Sequence, residues 1–329
     1  MIEAQTAPGR TIVVGGAGFI GGHAVDVLLA DPDTDGVTVY DNFTSGRWWH
    51  LDDHRDDSRL RVVEADVKDL DALTEAMRGH DRVIHLASNP DIAAAMIDPT
   101  IDFYEGTLLT HHVAEAMRRN GVPRILYASG SGIYGDLGER VPGEDHGPLE
   151  PTSTYGASKL AGEALLCSYA HMFGSKATAF RFGNVVGPRQ THGVGYDFLR
   201  RLRQDPTHLA ILGDGRQSKS YIYVLDVLAA VLHASRDQTS PFEAYNVATG
   251  DYITVTEIAE LAIDVAGLDP ADVTLEYSGG SRGWKGDVPV VRLDTAKVEA
   301  TGWHCTRPTR EALRQSMVAM LDDQDRLGW

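Results

Sequence analysis

A glycine-rich turn near the amino terminus constrains the fold of this chain more than any other feature. The apolar run at residues 12–14 leads directly into the sequence GGAGFIG at residues 15–21, where a helical pattern of apolar residues begins. A strand, a tight turn and a helix in this order bring free backbone N–H groups and the positive end of a helix dipole to one point, where a pyrophosphate can bind. The turn therefore predicts a dinucleotide site that includes Gly15, Gly18, Phe19, Ile20 and Gly21.

An acidic residue follows the turn at the distance that a dinucleotide site needs. Asp41 closes the second predicted strand, 20 residues after Gly21, and can accept hydrogen bonds from the ribose diol of an adenosine. The same carboxylate would repel the 2′-phosphate of NADP, so the sequence predicts NAD as the cofactor. Arg47 lies close enough in sequence to accommodate a phosphate, which leaves NADP as the alternative.

Apolar runs alternate with helical patterns along the chain up to residue 186. Because these runs are apolar throughout, both faces of the sheet should be covered by helices. We therefore predict an α/β protein with a Rossmann-type doubly wound parallel sheet at residues 1–186, to which the chain returns around 218–236, and a smaller C-terminal α/β substrate lobe at 187–329. The expected strands cover residues 10–14, 37–40, 60–64, 82–86, 124–128 and 177–182, and the expected helices cover 19–29, 69–77, 100–120 and 154–173.

The composition narrows the class of ligand and the compartment. The chain has 30 lysines and arginines against 47 aspartates and glutamates, a net charge of −17. A protein with this net negative charge repels polyphosphate backbones, and nucleic acid is therefore not an expected partner. An anionic ligand would need a local basic pocket.

The sequence has neither a signal-peptide pattern nor a run of about 18 apolar residues, which predicts a cytoplasmic protein without a membrane partner. Cys167 and Cys305 are expected to be reduced thiols, and no spacing predicts a metal site.

Tyr155 and Lys159 are the candidates for proton transfer. They are four positions apart in a predicted helix, so their side chains leave one face a single turn apart. A phenol with a pKa of about 10 is a poor base at neutral pH. An adjacent ammonium and the positive charge of an oxidised nicotinamide stabilise the phenolate and make Tyr155 a usable base.

These motifs together resemble those of the extended short-chain dehydrogenase/reductase family, also called the NAD-dependent epimerase/dehydratase family. The spacing G-x-x-G-x-x-G, the sequence YGASK at residues 155–159 and the sequence RFGNVVGP at 181–188 carry the resemblance. It implies that Asp66 and Val67 border the adenine and that Lys159 also bonds the nicotinamide ribose. The other cofactor-binding residues in the sequences that match the family are Asn42, Ser45, Leu86, Ala87, Ser88, Tyr155, Phe182 and Val185.

One departure from the family pattern lies in the loop after the fifth predicted strand. The family usually places a Ser or Thr four residues before the Tyr-Gly that ends this loop, and here that position is Gly130. Ser129, Ser131 or a water molecule could supply the hydroxyl, and the sequence does not choose among them. Related 4,6-dehydratases place an Asp and a Glu where this chain has Ser131 and Gly132, and related decarboxylases place a Glu at the second position.

Without those carboxylates, the sequence favours oxidation and re-reduction at C4 of a nucleotide-diphosphate sugar, either a UDP-hexose or a UDP-hexuronate, through a transient 4-keto intermediate. The protein is thus expected to be an NAD-dependent 4-epimerase. One alternative is a 4-ketoreductase or dehydratase-like enzyme. Another, from a different class, is a non-catalytic protein that senses a dinucleotide.

The second lobe offers cations for an anionic nucleotide sugar. Lys219 lies in a segment that resembles the family's substrate loop, and the resemblance implies that Arg282 meets the diphosphate and Asp287 the nucleoside ribose. In this family the helix at 100–120 and the helix of Tyr155 commonly pair across a two-fold axis, so we expect a homodimer. The substrate-binding candidates are Asn184, Arg189, Arg216, Lys219, Arg282 and Asp287.

Overall fold

The computed structural model describes residues 9–89 and 91–329 and is built on strands that follow the expected alternation. The glycine turn at residue 15 directly follows the first strand, as the sequence predicts. The strands are β1 (Gly9–Val14), β2 (Thr34–Asp41), β3 (Leu60–Glu64), β4 (Arg82–His85), β5 (Arg124–Gly130), β6 (Lys176–Phe182), β7 (Asn184–Val186), β8 (His208–Ile211), β9 (Ser218–Lys219), β10 (Tyr221–Tyr223), β11 (Phe242–Val247), β12 (Ile253–Thr254) and β13 (Thr274–Tyr277).

The central sheet has seven strands in the order β11-β6-β5-β4-β1-β2-β3, and every neighbouring pair is parallel. Its strands are apolar because helices cover both faces: Ile12, Val13 and Val14 of β1 are fully buried. The strand order reverses between β1 and β4, and ligands of such sheets bind in the crevice beyond the carboxyl ends at this point. The expected α/β class and doubly wound sheet are confirmed.

Helices on the two faces of the sheet bury separate apolar cores. Helices α1 and α6 pack on one face, and α2, α3 and α4 on the other. The helices are α1 (Phe19–Ala30), α2 (Leu70–Ala76), α3 (Leu108–Asn120), α4 (Thr154–Phe173), α5 (Val194–Gln204), α6 (Val224–Ala234), α7 (Val255–Val265), α8 (Ala296–Glu299), α9 (Thr309–Asp322) and α10 (Gln324–Leu327).

The helix expected at 100–120 is interrupted at its start. Residues Phe103–Thr107 form a π-helix, and α3 continues from Leu108. The wider turn brings the Gly106 backbone against α4: a Cβ at this position would lie 2.7 Å from the Ser158 hydroxyl. Close contact between the two helices therefore changes the local winding that the sequence pattern predicts.

A third apolar core belongs to the carboxyl-terminal part of the chain. It is formed mainly by α5, α7 and α9 around the short strands β8 and β10. The chain returns to the central sheet through α6, which packs on α1, and through β11, which pairs with β6. The return therefore extends past the expected residues 218–236. Among the helices of the described chain, none has both the length and the apolar character needed to cross a bilayer.

Candidate active site

A cleft of about 1050 Å³ lies at the carboxyl edge of the central sheet and extends to α5 and α9 of the third core. The structure brings almost all of the predicted cofactor residues to its wall. Those residues are Gly15, Gly18, Phe19, Ile20, Gly21, Asp41, Asn42, Ser45, Asp66, Val67, Leu86, Ala87, Ser88, Tyr155, Lys159, Phe182 and Val185.

The glycine turn forms a cradle that side chains would fill. A Cβ on Gly15, which has φ +83°, would lie 2.6 Å from the Ala87 nitrogen, and a Cβ on Gly21 would lie 2.3 Å from the Gly15 oxygen. Helix α1 begins after Gly18 with no side-chain cap, so its first N–H groups and its dipole are available to an anion. This cradle fits the pyrophosphate of a dinucleotide.

Asp41 is fixed beside the cradle by two backbone hydrogen bonds. Its carboxylate accepts the N–H of Ala17 at 2.9 Å and that of Phe43 at 2.8 Å. Burial raises the pKa of Asp41, and the two hydrogen bonds partly oppose this rise. Arg47 does not line the cleft: its guanidinium donates to the Gly46 carbonyl, and the side chain is exposed. A contact between Arg47 and the cofactor therefore stays a prediction.

Tyr155 and Lys159 lie on α4, which Ser153 caps by accepting the Gly156 N–H. The Lys159 ammonium is buried, donates a 2.8 Å hydrogen bond to the Ala128 carbonyl, and lies 5.5 Å from the centre of the Tyr155 ring. Burial acts against the charge, but contact with the phenols of Tyr155 and Tyr127 outweighs it and raises the pKa of Lys159. The cleft therefore contains a phenol next to a permanent cation.

The loop after β5 supplies one hydroxyl to the cleft that has no other partner. Ser129 donates its hydroxyl to the Glu163 carboxylate at 2.6 Å and is buried. The Ser131 side chain lines the cleft and has no hydrogen-bond partner among the residues described. Gly130 has extended backbone (φ −163°), and a Cβ there would meet no atom within 4 Å. Of the two serines that the sequence leaves open, only Ser131 therefore has a free hydroxyl.

Three predicted substrate residues line the same cleft. Lys219 donates to the Asp287 carboxylate at 2.7 Å, and this carboxylate also accepts the Gly283 N–H at 3.0 Å. Asn184 donates its amide to the Ser220 carbonyl at 3.2 Å. Lys219 and Asp287 thus hold each other at the end of the cleft formed by the second lobe.

Arg189 does not reach the cleft, contrary to the sequence-based expectation. Its guanidinium donates to Asp26 at 2.7 Å, to Asp53 at 3.1 Å and to the His50 carbonyl at 3.1 Å. These acceptors lie on α1 and on the segment after β2, and none of them lines the cleft. The Arg189 side chain therefore connects the segment after β7 to α1 and to the segment after β2.

Arg216 and Arg282 also lie outside the cleft wall. Arg216 is exposed. Arg282 donates to the Asp136 carboxylate at 2.6 Å and to the Asp287 carbonyl. Their roles as substrate-binding residues stay predictions, and in this structure the Arg282 guanidinium pairs with Asp136.

Sequence reasoning missed several polar residues of the cleft. Lys68 pairs with Glu105 next to Asp66, and its position directly after Asp66-Val67 could have indicated it. His192 and Trp284 also line the cleft. Trp284 lies between Arg282 and Asp287 in sequence, so the same motif contained a signal for it.

Known proteins share this architecture. The family model described as "NAD dependent epimerase/dehydratase family" matches residues 11–248. The UDP-glucose 4-epimerase of Mycolicibacterium smegmatis is 33% identical over 301 residues, 89% of this chain and 93% of that protein. A crystal structure of a UDP-galactose 4-epimerase superposes with a TM-score of 0.84 at 35% identity, covering 95% of this chain and 99% of the other. The UDP-glucose 4-epimerase of Thermus thermophilus, crystallised in complex with NAD, gives a TM-score of 0.83 at 31% identity, covering 95% and 99%.

These similarities confirm the resemblance that the glycine spacing and the YGASK sequence indicate. They also support NAD as the cofactor, as expected from Asp41. The chain belongs to the NAD dependent epimerase/dehydratase family, with NAD as its cofactor.

Proposed function

We propose that this protein epimerises C4 of a nucleotide-diphosphate sugar, a UDP-hexose or a UDP-hexuronate. The observation that carries the proposal is the position of Tyr155 and Lys159 in the same cleft as the glycine cradle and Asp41. When bound, NAD supplies a reversible hydride acceptor for a carbinol carbon. The names of the relatives, UDP-glucose and UDP-galactose 4-epimerases, support the nucleotide sugar as substrate class.

In this proposal Tyr155 takes the proton of the C4 hydroxyl and later returns it. Lys159 favours the phenolate through its charge, and its hydrogen bond to the Ala128 carbonyl holds the ammonium in place. Ser131 donates to the same substrate oxygen, in the role that a residue at position 130 plays in the family. Elimination of water would need an acid and a base beside Ser131, and the loop holds no carboxylate there.

The diphosphate is proposed to bind between Lys219 and the start of α5. Lys219 is half-buried in the cleft, and α5 begins after Gly193 with no side-chain cap. An uncapped helix start and one cation suit a diphosphate. Asn184 and Asp287 would complete this part of the site, the second by accepting hydrogen bonds from the nucleoside ribose.

The test is to incubate the purified protein, without added cofactor, with UDP-glucose, UDP-galactose, UDP-glucuronate and UDP-N-acetylglucosamine, and to resolve the epimers by NMR. Interconversion of a C4 pair, together with NAD released from the denatured protein, supports the proposal. A requirement for stoichiometric NADPH with a 4-keto sugar would identify a ketoreductase instead. Tight NAD binding with no turnover of any sugar would favour a dinucleotide sensor.

We also propose that the protein forms a homodimer through α3 and α4. The outer face of α4 carries the exposed residues Ala157, Ala164, Ser168 and Met172, and Met172 is 71% exposed. Small residues along one helix face allow a second helix to approach closely, and a two-fold axis would bury Met172. Light scattering should give twice the chain mass of 35.7 kDa, and Ala164→Glu should convert the protein to a monomer.

A further inference from the structure

A buried ion pair behind the cleft joins the helix of Tyr155 to the loop that faces the substrate. We propose that Glu163 and Arg181 are positioning residues that hold the loop 130–133 in register with Tyr155, so that Ser131 faces the C4 oxygen. This inference rests on the proposed function, because it assigns the pair a role in that reaction. Neither residue lines the cleft, so neither would touch the substrate.

Glu163 fixes the beginning of the loop. Its carboxylate accepts the Ser129 hydroxyl at 2.6 Å and the Arg181 guanidinium at 3.1 Å and 2.8 Å. The side chains of Glu163 and Arg181 are 5% and 6% exposed. Ser129 directly precedes Gly130, so the position of the loop start depends on this carboxylate.

Arg181 fixes the end of the loop. Its guanidinium also donates to the Tyr134 hydroxyl at 2.7 Å, and Tyr134 in turn donates to the Asn246 side chain at 2.8 Å. Tyr134 directly follows Ile133. One ion pair therefore holds the residues on both sides of the loop 130–133.

The same ion pair connects the loop 130–133 to α4, the helix that carries Tyr155. Glu163 follows Lys159 by four residues and Tyr155 by eight on α4, so all three move as parts of one rigid helix. The segment also packs directly on α4: Ser131–Tyr134 form a 3-10 turn, Ile133 is fully buried, and a Cβ on Gly156 would lie 2.5 Å from the Gly132 oxygen. Glycine backbones lose the most entropy when they are ordered, so an ordered loop of this composition needs outside support.

Mutation of the Glu163–Arg181 pair should have different effects if the pair only stabilises the fold and if it also positions the loop. Breaking any buried ion pair destabilises a protein, because one charge is left without a partner. Positioning adds a second effect: a reacting group displaced by about 1 Å can lose on the order of 100-fold in rate. The two roles are separated by kcat and by the mobility of the loop, each measured against a variant that changes a buried carboxylate far from the cleft.

Glu163→Gln is the primary test, and Asp226→Asn is its matched control. Asp226 is a buried carboxylate that pairs with Arg307 at 3.2 Å and does not line the cleft. We expect Glu163→Gln to lower kcat by on the order of 100-fold with KM nearly unchanged. Hydrogen exchange of the backbone at residues 130–134 should accelerate about tenfold, with NAD content retained. Asp226→Asn should lose a similar amount of thermal stability while kcat stays within about twofold.

Unchanged kcat and unchanged loop exchange in Glu163→Gln would overturn the proposal, as would an equal loss of kcat in Asp226→Asn. If Glu163→Gln does not fold, Ser129→Ala removes one hydrogen bond and leaves the ion pair intact. That variant should still accelerate exchange in the loop and lower kcat by about tenfold, and normal values for both would overturn the proposal. If the wild-type protein epimerises no sugar, the proposed function fails, while faster loop exchange in Glu163→Gln would still show that the pair holds the loop.

Discussion

The ammonium of Lys159 lies 5.5 Å from the centre of the Tyr155 ring, one helical turn along α4. Tyr155→Phe keeps the ring and removes the proton-transfer group. We expect turnover to fall by at least about 10³-fold, within the range for loss of a general acid–base group, while NAD remains bound. Epimer ratios by NMR and NAD released on denaturation measure the two properties. A variant with full activity would exclude Tyr155 as the base.

Ser131 should supply the hydroxyl that the family places at position 130, and this role can be tested by exchanging the two positions. Ser131→Ala should lower kcat by about 10-fold to 100-fold, since a hydrogen bond to a charged group contributes about 1.5–3 kcal/mol. The double variant Gly130→Ser, Ser131→Ala should regain most of this loss, because residue 130 has extended backbone and open space for a side chain. Steady-state kinetics of the wild type, both single variants and the double variant provide the test. Full activity in Ser131→Ala would indicate that water fills the role.

Arg189 and Lys219 should differ in their effects on binding. Arg189→Ala breaks contacts with Asp26 and Asp53 outside the cleft, so it should lower the free energy of unfolding by about 1–2 kcal/mol and leave KM nearly unchanged. Lys219→Ala removes a cation from the cleft and should raise KM for the nucleotide sugar about tenfold. Urea unfolding and initial rates separate the two effects. A raised KM in Arg189→Ala with normal stability would return Arg189 to the substrate site.

The stability of the folded protein should fall on acidification because of a buried histidine. His85 is fully buried, and burial, reinforced by nearby Lys159, lowers its pKa to about 3. An unfolded histidine binds its proton near pH 6.5, so the unfolded state takes up more protons between these values. The free energy of unfolding should therefore decrease by about 1.4 kcal/mol per pH unit from this group as the pH drops from about 6 to 4.

The His85→Asn variant has no titratable side chain at this position, so its pH dependence of stability provides the comparison with the wild type. In urea unfolding between pH 6 and 4, the slope of this variant should be smaller than that of the wild type by the contribution of one proton. His50, whose pKa burial lowers to about 4, should leave part of the slope in place. Identical slopes in the two proteins would show that His85 takes up no proton on unfolding.

The sheet and the cofactor half of the cleft were predictable because their signals are local in sequence. The glycine turn, Asp41 and the four-residue spacing of Tyr155 and Lys159 each depend on a short segment whose geometry follows from its own residues. Strand β11 was not predicted as part of the sheet, since nothing within residues 242–247 indicates pairing with β6.

The partners of charged and polar side chains could not be predicted in the same way. The sequence shows that Arg189 carries a charge, but its acceptor Asp26 is 163 residues away. Ser129 likewise donates to Glu163, 34 residues along the chain. The folded chain determines which cationic side chains face the cleft and which form ion pairs with carboxylates elsewhere. Because these pairs join residues that are far apart in sequence, the substrate site could be predicted only in part.

The extended backbone at Gly130 means that the fold does not require glycine there. A small side chain such as that of alanine or serine could therefore be encoded at that codon without a clash at its Cβ. A saturation library at this one codon, screened on several sugars, would show how far a single position can redirect the chemistry of an otherwise unchanged scaffold.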